Sequence, residues 1–336
     1  MTSIALCQVS TLFGPTPHKA LAQRRSGMTA TELLDHGGHT LALDEVSLAV
    51  TAGELLVVMG PSGSGKSTLL RHINRLLTPT AGQVLVDGKD LAGLRQSELI
   101  ALRRQRMAMV FQHAGLLPHR QVLDNVAYGL RLRGLNQAQA RAKAQAWVER
   151  VGLAGFEKHW PDELSGGMRQ RVGLARALAT DTDIVLMDEA FSALDPLLRD
   201  QMQTELLALQ RELRKTIVFV THDLDEALRL GDRVALLHQG RLLQLASPAD
   251  LLRQPADALV ARFMQGVNRA RLLTAAVALL PWPDNLPQPP LDQAVPHDLA
   301  VDRLMSGWLG RSGPLAVHDG QRILGQVDWP RLRALL

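Results

Sequence analysis

The chain reads Gly60-Pro61-Ser62-Gly63-Ser64-Gly65-Lys66-Ser67 directly after a short run of leucine, valine and methionine. The apolar run is typical of a buried parallel strand, and the residues after the quoted stretch are typical of a helix. Glycines at such a junction let backbone N–H groups converge on phosphate oxygens, where side chains would block the approach. The stretch therefore predicts a phosphate-binding loop, with the positive dipole end of the following helix facing the anion.

The loop also carries side chains suited to a nucleotide and a metal ion. Lys66 would neutralise the outer phosphates, and the hydroxyl of Ser67 is a ligand suited to Mg²⁺. Contacts with the nucleotide are expected along the whole segment from Gly60 to Thr68. The alternative is a flexible Gly-Ser turn without a ligand, but the position between a strand and a helix favours the phosphate site.

Length and composition narrow the class of protein. A chain of 336 residues is long enough for one large and one small unit. No stretch reaches 18 consecutive apolar residues, and the N-terminus lacks the features of an export signal, so we expect a cytoplasmic location. Aromatic residues make up only 4% of the chain, which argues against stacking of RNA or single-stranded DNA. The single cysteine, Cys7, excludes an internal disulfide and is predicted to be a small packing residue.

Predicted strands and helices alternate along most of the chain, which is typical of an α/β fold with a parallel sheet. Residues 41–50 and 83–86 indicate an antiparallel β subdomain, and residues 113–180 favour a helical subdomain. Because ligands bind at the carboxyl ends of parallel strands, residues that directly follow predicted strands are expected to share one site. Those residues are Gly60, Gln112, Asp188 and His222. Helices are predicted at 66–77, 122–132, 137–151, 167–179, 196–213 and 223–230, and parallel strands at 106–111, 183–188 and 216–220.

A pair of acids follows one of the buried strands. Asp188 and Glu189 come directly after an apolar run that begins at Ile184. Asp188 is placed to hold Mg²⁺ through water, and Glu189 is placed to act as general base on the attacking water, two roles that phosphoryl transfer requires. A lone Asp-Glu pair is usually surface charge, but the position after a buried strand favours the catalytic role.

A third motif stands between these two. It reads Leu164-Ser165-Gly166-Gly167-Met168-Arg169-Gln170 and resembles the signature of the ATP-binding subunits of ABC transporters. Ser165, Gly166 and Gly167 would stand at a helix N-terminus and present a hydroxyl, backbone N–H groups and a dipole to a terminal phosphate. The resemblance implies a P-loop NTPase fold of the ABC type, with ATP and Mg²⁺ as ligands. It also implies a homodimer in which this surface faces the ATP of the second subunit.

Further residues match the same family in the expected order. The resemblance implies that Gln112 touches the metal and the water, that Asp195 belongs to a dimer-contact loop at 192–195, and that His222 is the switch histidine. Taken alone, Gln112 and His222 would be ordinary polar residues. Phe13 stands where the family has an aromatic residue that stacks on adenine, and a phenylalanine of the core is the alternative.

A closer resemblance is to the ATPase subunits of glycine betaine and proline betaine uptake systems, with choline and histidine importers as near relatives. The stretches 168–178, 187–197 and 221–227 carry it, together with an insertion after Phe13 that contains Thr31-Glu32-Leu33-Leu34. It implies a peripheral homodimer on the cytoplasmic face of the inner membrane, bound to a separate membrane permease and served indirectly by a solute-binding protein, with no nucleic acid. The alternatives are an ATPase of another transporter class and a soluble ABC-type ATPase that acts on DNA or ribosomes.

The resemblance covers about residues 4–267, and the predicted domains follow from it. Residues 1–267 form an ABC ATPase domain, 268–296 form a proline-rich linker and 297–336 form a small α+β unit. The segment 313–327 resembles the sheet part of one CBS module, whereas members of the family commonly carry a pair. The tail is therefore predicted to be a single, partial CBS-like module, and a C-terminal cap used in dimer contact is the alternative.

Two histidines of the insertion, His36 and His39, raise the question of a metal site. No cysteine or acid cluster lies near them in the sequence. A solvated loop is therefore the favoured interpretation, with both side chains exposed.

Overall fold

The computed structural model describes residues 4–112, 114–266, 275–283, 286–297, 299, 301, 304–305 and 313–335. Two compact units are present, the first comprising Met1–Asp223 and Leu230–Ser247 and the second comprising Leu224–Arg229 and Pro248–Leu336. The domain boundaries at 267 and 297 stay predictions, because residues 267–274 and several residues of the tail lie outside the described residues.

Strands and helices alternate along the first unit. The strands of the described residues are β1 (Ile4–Phe13), β2 (Thr40–Val50), β3 (Leu55–Met59), β4 (Ala81–Val86), β5 (Lys89–Asp90), β6 (Met107–Val110), β7 (Ile184–Asp188), β8 (Thr216–Thr221), β9 (Arg233–His238), β10 (Arg241–Ala246), β11 (Val295–Pro296), β12 (Leu315–His318) and β13 (Ile323–Val327). The α-helices are α1 (Pro17–Arg25), α2 (Ala30–Gly37), α3 (Lys66–Ile73), α4 (Gln96–Arg106), α5 (Val122–Leu132), α6 (Gln137–Arg150), α7 (Gly166–Ala179), α8 (Pro196–Leu213), α9 (Leu224–Leu230), α10 (Pro248–Arg253), α11 (Ala258–Phe263) and α12 (Trp329–Leu335).

A six-stranded sheet forms the centre of the first unit, in the order β10-β9-β3-β8-β7-β6. The pairs from β9 to β6 are all parallel, and only β10 runs antiparallel to its neighbour β9. Every residue of β3, β7 and β8 is buried, as expected for strands covered on both faces. The predicted α/β class is confirmed, and the carboxyl ends of β3, β6, β7 and β8 meet at one edge of the sheet.

Two subdomains accompany the central sheet. An antiparallel sheet has the order β2-β1-β4-β5. The helices α5, α6 and α7 pack around a separate apolar cluster that includes Val126, Ala144, Val148 and Val172. Both subdomains of the predicted fold class, the antiparallel β subdomain and the helical subdomain, are therefore present.

Most element ends agree with the prediction to within one residue, and α5 and α8 begin and end where predicted. The main difference is α3, which ends at Ile73 and not at residue 77. The chain turns there through Arg75, whose φ of +52° is left-handed. Such a conformation cannot continue an α-helix, which explains the early end.

The strand β1 is irregular near Cys7, and this corrects one prediction. Cys7 is exposed and so is not a packing residue. The pairing register with β2 shifts between Leu6 and Val9, and Gln8 between them has a left-handed φ of +48°. Cys7 precedes this bulge and continues the alternation of β1, in which Ile4 and Leu6 are buried and Cys7 is exposed.

The insertion after β1 forms the two helices α1 and α2. Leu21 of α1 and Leu33 of α2 pack in one apolar cluster with Leu12 of β1, so the insertion has a core of its own. His36 is exposed as expected. The expectation fails for His39, which is only 5% exposed because its ring packs closely on Gly37 and on Gly14 after β1.

The second unit contains the sheet β11-β12-β13. The antiparallel pair β12 and β13 lies within the segment 313–327 whose sheet character the sequence predicts. The assignment to a partial CBS-like module stays a prediction. Within the described residues, no helix has both the length and the apolar character needed to cross a membrane.

Candidate nucleotide site

The loop after β3 has the backbone geometry of a phosphate cradle. Gly60 has a φ of +153° and Gly65 a φ of +98°. A Cβ atom at Gly60 would collide with the carbonyl oxygen of Leu237, and one at Gly65 would collide with the carbonyl oxygen of Ala42. These two positions therefore require glycine for close approach of neighbouring backbone as well as for conformation.

Lys66 bends back over the loop that precedes it. Its Nζ donates hydrogen bonds of 2.8 Å to the carbonyl oxygens of Gly60 and Pro61. Burial lowers the pKa of Lys66, and the nearby carboxylates of Glu189 and Asp188 oppose that shift. The ammonium group is thus fixed beside the loop where the outer phosphates of a nucleotide would lie.

The hydroxyl of Ser67 donates a hydrogen bond of 2.8 Å to Oδ1 of Asp188. Asp188 is only 2% exposed, and burial raises the pKa of its carboxyl while the hydrogen bond from Ser67 lowers it. A hydroxyl and a carboxylate oxygen in contact are a donor set that fits Mg²⁺, which usually takes one or two protein ligands together with substrate phosphates and water. Two of the three residues predicted to hold the metal are therefore in contact, and the third, Gln112, contacts Glu189 next in the chain.

Glu189 lies between the other two predicted catalytic residues. Its Oε2 accepts a hydrogen bond of 3.1 Å from Nε2 of Gln112, and its Oε1 lies 3.2 Å from Nδ1 of His222. The side chain of Glu189 is 17% exposed. Its backbone has a left-handed φ of +46°, and its N–H donates to the carbonyl oxygen of Val220 on β8. The four residues predicted to follow parallel strands are thus brought to one edge of the sheet.

Ser64 gives an independent indication that the loop fits an anion. Its side chain is buried, and its Oγ has no hydrogen-bond partner among the described residues. A buried hydroxyl without a partner destabilises the free protein and would gain one from a phosphate oxygen. The loop therefore fits the phosphates of ATP, with Thr68 in the first turn of the helix that follows.

The signature segment stands on a different element. Ser165 caps α7, since its Oγ accepts a hydrogen bond of 3.2 Å from the N–H of Met168. Ser165 and Gly166 are exposed, and no atom lies within 4 Å of the Cβ position of Gly166. In the described part of the chain, no hydrogen bond joins Ser165 to the phosphate loop. A single chain does not bring these two predicted phosphate contacts together.

Asp195 and Gly167 stand at the starts of α8 and α7. The carboxylate of Asp195 accepts a hydrogen bond of 3.0 Å from the N–H of Leu198 and so caps α8. Gly167 faces Leu194 and Ala193 of the same 192–195 loop. The loop predicted to contact the second subunit therefore borders the signature segment.

Phe13 is at the end of β1, where it pairs with Thr40 of β2, and its ring is 43% exposed. An exposed ring argues against the alternative of an ordinary core phenylalanine. Stacking on adenine stays a prediction.

Sequence reasoning missed the contacts of Arg176. This half-buried residue of α7 donates two hydrogen bonds of 2.8 Å, to the carbonyl oxygens of Ala114 and Gly115. On the same face, Gln170 donates to the carbonyl oxygen of Phe111. The sequence feature that could have indicated these contacts is the position of Arg176 inside the apolar run 174–178. An arginine buried in such a run needs hydrogen-bond acceptors. Helix α7 thereby supports the segment that carries Gln112.

Comparison with known proteins agrees with this geometry. A family model described as ABC transporter matches residues 43–192. The "Glycine betaine/proline betaine transport system ATP-binding protein ProV" of Escherichia coli is 49% identical over 264 residues, 79% of this chain and 66% of the relative. The chain therefore spans just under two thirds of the length of that relative. The "Trimethylamine N-oxide transport system ATP-binding protein TmoW" of Pelagibacter ubique is 43% identical over 94% of this chain and 92% of the relative.

Solved structures agree as well. The "Dimeric Structure of MJ0796, a Bacterial ABC Transporter Cassette" has a TM-score of 0.63 and 33% identity, covering 73% of this chain and 98% of that chain. The same cassette, in a post-hydrolysis state described as bound to ADP and Pi, aligns with a TM-score of 0.63 and 32% identity. These findings confirm the resemblance recognised in the sequence. The chain belongs to the ATP-binding proteins of ABC transporters.

Proposed function

We propose that this chain is the ATP-hydrolysing subunit of an ABC importer. The observation that carries the proposal is the pair of contacts on Glu189, whose two carboxylate oxygens face Gln112 and His222 at 3.1 and 3.2 Å. The preceding residue, Asp188, contacts Ser67 of the phosphate loop. A base, a metal position and a phosphate cradle therefore lie along one edge of one sheet, as phosphoryl transfer to water requires.

The residues divide the work of hydrolysis among them. Glu189 accepts a proton from the attacking water, and Gln112 and His222 hold its two oxygens in place. Lys66 and the N–H groups of the loop bind the phosphates, and His222 is placed to touch the terminal one. Ser67, Asp188 and Gln112 would hold Mg²⁺. When bound, that ion supplies charge neutralisation at the phosphate oxygens.

A homodimer would complete each site. Ser165 and Gly166 are exposed at the N-terminus of α7, and among the described residues no hydrogen bond joins Ser165 to the phosphate loop of its own chain. An exposed helix N-terminus beside a hydroxyl that can donate is suited to an anion, so the terminal phosphate bound by a second chain is a suitable ligand. The 192–195 loop, with Asp195, would lie at the same interface. The dimeric cassette found by structural comparison supports this arrangement.

The transported solute would be a small quaternary amine or a close relative. The relatives are named for transport of glycine betaine, proline betaine and trimethylamine N-oxide, which are all methylated ammonium or amine-oxide compounds. We infer import of glycine betaine, proline betaine or a related compound such as choline, proline or histidine. The chain would sit peripherally on the cytoplasmic face of the inner membrane, bound to a separate permease and served indirectly by a solute-binding protein.

Uptake into liposomes tests the function. The chain is reconstituted with its co-purifying permease and binding protein, and ATP-dependent uptake of labelled betaines, choline, proline and histidine is measured. We expect uptake of at least one quaternary amine, and none with Glu189→Gln in place of the wild-type chain. Transport of none of these compounds, with ATP hydrolysis intact, would contradict the substrate class and leave the ATPase assignment standing.

The alternative of a soluble ATPase acting on DNA or ribosomes has no support from a contact in the described structure. Purification from membranes separates the two functions. We expect the chain to co-purify with an integral membrane protein. Co-purification with ribosomes or DNA instead would favour the alternative.

A further inference from the structure

His39 lies at the junction between the insertion and the end of β1. Its Nε2 accepts a hydrogen bond of 3.0 Å from the backbone N–H of Thr16, and lies 3.2 Å from the hydroxyl of the same residue. Thr16 directly precedes α1, and His39 directly follows the C-terminal turn of α2. One imidazole ring therefore joins the start of the insertion to its end.

Two glycines allow the ring to pack this closely. A Cβ atom at Gly14 would lie 2.5 Å from Cδ2 of His39, and one at Gly37 would lie 2.5 Å from its Nδ1. Gly14 also has a φ of +147°, which disfavours other residues. The ring is thus held between two backbone segments that have no side chains at the points of contact.

The hydrogen bond fixes the tautomer of His39. Because Nε2 accepts from the N–H of Thr16, the proton of the neutral ring is on Nδ1. That Nδ1 is buried and has no partner among the described residues. A buried donor without a partner destabilises the folded state, so stability alone does not account for a histidine here.

The contact that matters for function is the one with Gly14. Gly14 directly follows Phe13, the predicted adenine-stacking residue. Phe13 pairs with Thr40, and Thr40 directly follows His39. The ring of His39 therefore lies against the chain just beyond the Phe13–Thr40 pair, where β1 ends and β2 begins. Phe13 itself is 43% exposed, so its ring has few contacts of its own to fix its direction.

We propose that His39 is a positioning residue, which fixes the direction of the Phe13 ring and thereby sets the affinity of the site for the purine base. The proposal rests on the proposed function, because it requires a nucleotide whose base stacks on Phe13. The proposal assigns His39 no contact with the phosphates. The effect of His39 on nucleotide affinity therefore depends on the base and not on the triphosphate.

Two ligands separate these effects. Binding of ATP and of inorganic tripolyphosphate is measured by calorimetry for the full-length wild type and for His39→Leu, which fills the space but cannot accept from Thr16. We expect ATP affinity to fall at least about fivefold, the low end of what loss of base stacking costs, with tripolyphosphate affinity unchanged within about twofold. His39→Gln should retain ATP affinity within about twofold, because its Oε1 can take the acceptor position of Nε2.

Two controls keep the outcome interpretable. His36→Leu changes a nearby exposed histidine of the same insertion and should alter neither affinity. Phe13→Ala should reproduce the ATP effect of His39→Leu, and the double variant should bind ATP no more weakly than Phe13→Ala alone.

Each other result overturns the proposal. Equal losses for ATP and tripolyphosphate would show a general structural defect, and so would a lowered melting temperature that His39→Gln does not restore. An unchanged ATP affinity in His39→Leu would remove the positioning role while leaving Phe13 in place. An unchanged ATP affinity in Phe13→Ala would remove the stacking assignment itself, which is a failure of the proposed site and distinct from a failure at His39.

Discussion

The amide nitrogen of Gln112 lies 3.1 Å from Oε2 of Glu189, although 77 residues separate the two in the sequence. The second carboxylate oxygen, Oε1, lies 3.2 Å from Nδ1 of His222. Both neighbours follow parallel strands of the central sheet, so the fold itself holds the carboxylate from two sides. A carboxylate fixed in this way loses little further conformational freedom when it accepts a proton, which suits a general base.

Replacing the base should separate binding from hydrolysis. In Glu189→Gln, both neighbours can still hydrogen-bond to the side chain, but the amide cannot accept a proton from water. We expect ATP binding to persist and the steady-state hydrolysis rate to fall at least about a hundredfold, a scale typical of losing a general base. Phosphate release and nucleotide binding measure the two effects. Glu149→Gln, on an exposed face of α6, is the matched control, and near-normal hydrolysis in Glu189→Gln would refute the assignment.

Lys66 should matter for nucleotide affinity and not for the fold. Lys66→Met keeps much of the stem but removes the ammonium group that bridges the carbonyl oxygens of Gly60 and Pro61. Loss of a charge-assisted contact with phosphate should weaken ATP binding by about ten- to a hundredfold. Calorimetry with ATP measures the effect, and circular dichroism checks that the fold is retained. Binding within twofold of wild type would place the phosphates elsewhere.

Asp188 should make the ligand-free protein less stable as the pH rises. Burial is the largest influence and raises the pKa of this carboxyl above its unfolded value, while Ser67, Arg71 and Lys66 lower it. Protonated Asp188 makes its full contribution to the free energy of unfolding below the unfolded pKa of about 4. That contribution is lost as the pH rises through the folded pKa. Asp188→Asn removes that loss. Without Mg²⁺ or nucleotide, the variant should therefore melt above the wild type at pH 7, with a difference that shrinks toward pH 4.

The control for this prediction is Asp35→Asn, since Asp35 is exposed in α2. Because this carboxyl is not buried, we expect Asp35→Asn to leave the melting temperature at pH 7 nearly unchanged. A gain in Asp188→Asn that is equal at all pH values would contradict the explanation through ionisation. A loss at pH 7 would show that the hydrogen bond from Ser67 outweighs burial.

The sequence could predict the parts of the site that depend on local pattern. The phosphate loop, the acids after β7 and the cap at Ser165 each follow from residue types at fixed spacing around one strand or helix. Contacts that depend on tertiary packing could not be predicted in this way. His39 is predicted in solvent because the sequence shows no partner for it. Its ring is buried because the fold brings Gly14 and Gly37 against it. Cys7 is predicted to pack because a lone cysteine is usually a small buried residue, whereas its place in the alternation of β1 leaves it exposed.

Arg176 belongs to that second group, and its removal should affect stability and catalysis together. Its two hydrogen bonds hold a turn in which Ala114 and Gly115 both have left-handed φ values of +53° and +55°. Arg176→Ala leaves both carbonyl oxygens without these donors, so we expect a loss of about 2–4 kcal/mol in the free energy of unfolding. The ATPase rate should fall too, because Gln112 lies just before this turn.

Chemical denaturation and phosphate release measure the two effects of Arg176→Ala. Arg131→Ala, at an exposed position of α5, is the control and should change neither quantity by much. Unchanged stability in Arg176→Ala would mean that the left-handed turn is held by other contacts. A lower free energy of unfolding with a normal ATPase rate would show that the turn does not control the position of Gln112.

Composite sites make a prediction that depends on how two substitutions are shared between chains. Lys66→Met disables the phosphate loop, and Ser165→Arg blocks the signature segment. If each pocket combines one loop with the signature of the other chain, a heterodimer with one substitution on each chain keeps one intact pocket.

We expect this heterodimer to hydrolyse ATP at about half the wild-type rate if the two pockets act independently, whereas both parent homodimers are inactive. With both substitutions on one chain and a wild-type partner, neither pocket is intact, so that heterodimer should be inactive. Purified, doubly tagged heterodimers distinguish the two arrangements, because pockets built within single chains would give the opposite result in both.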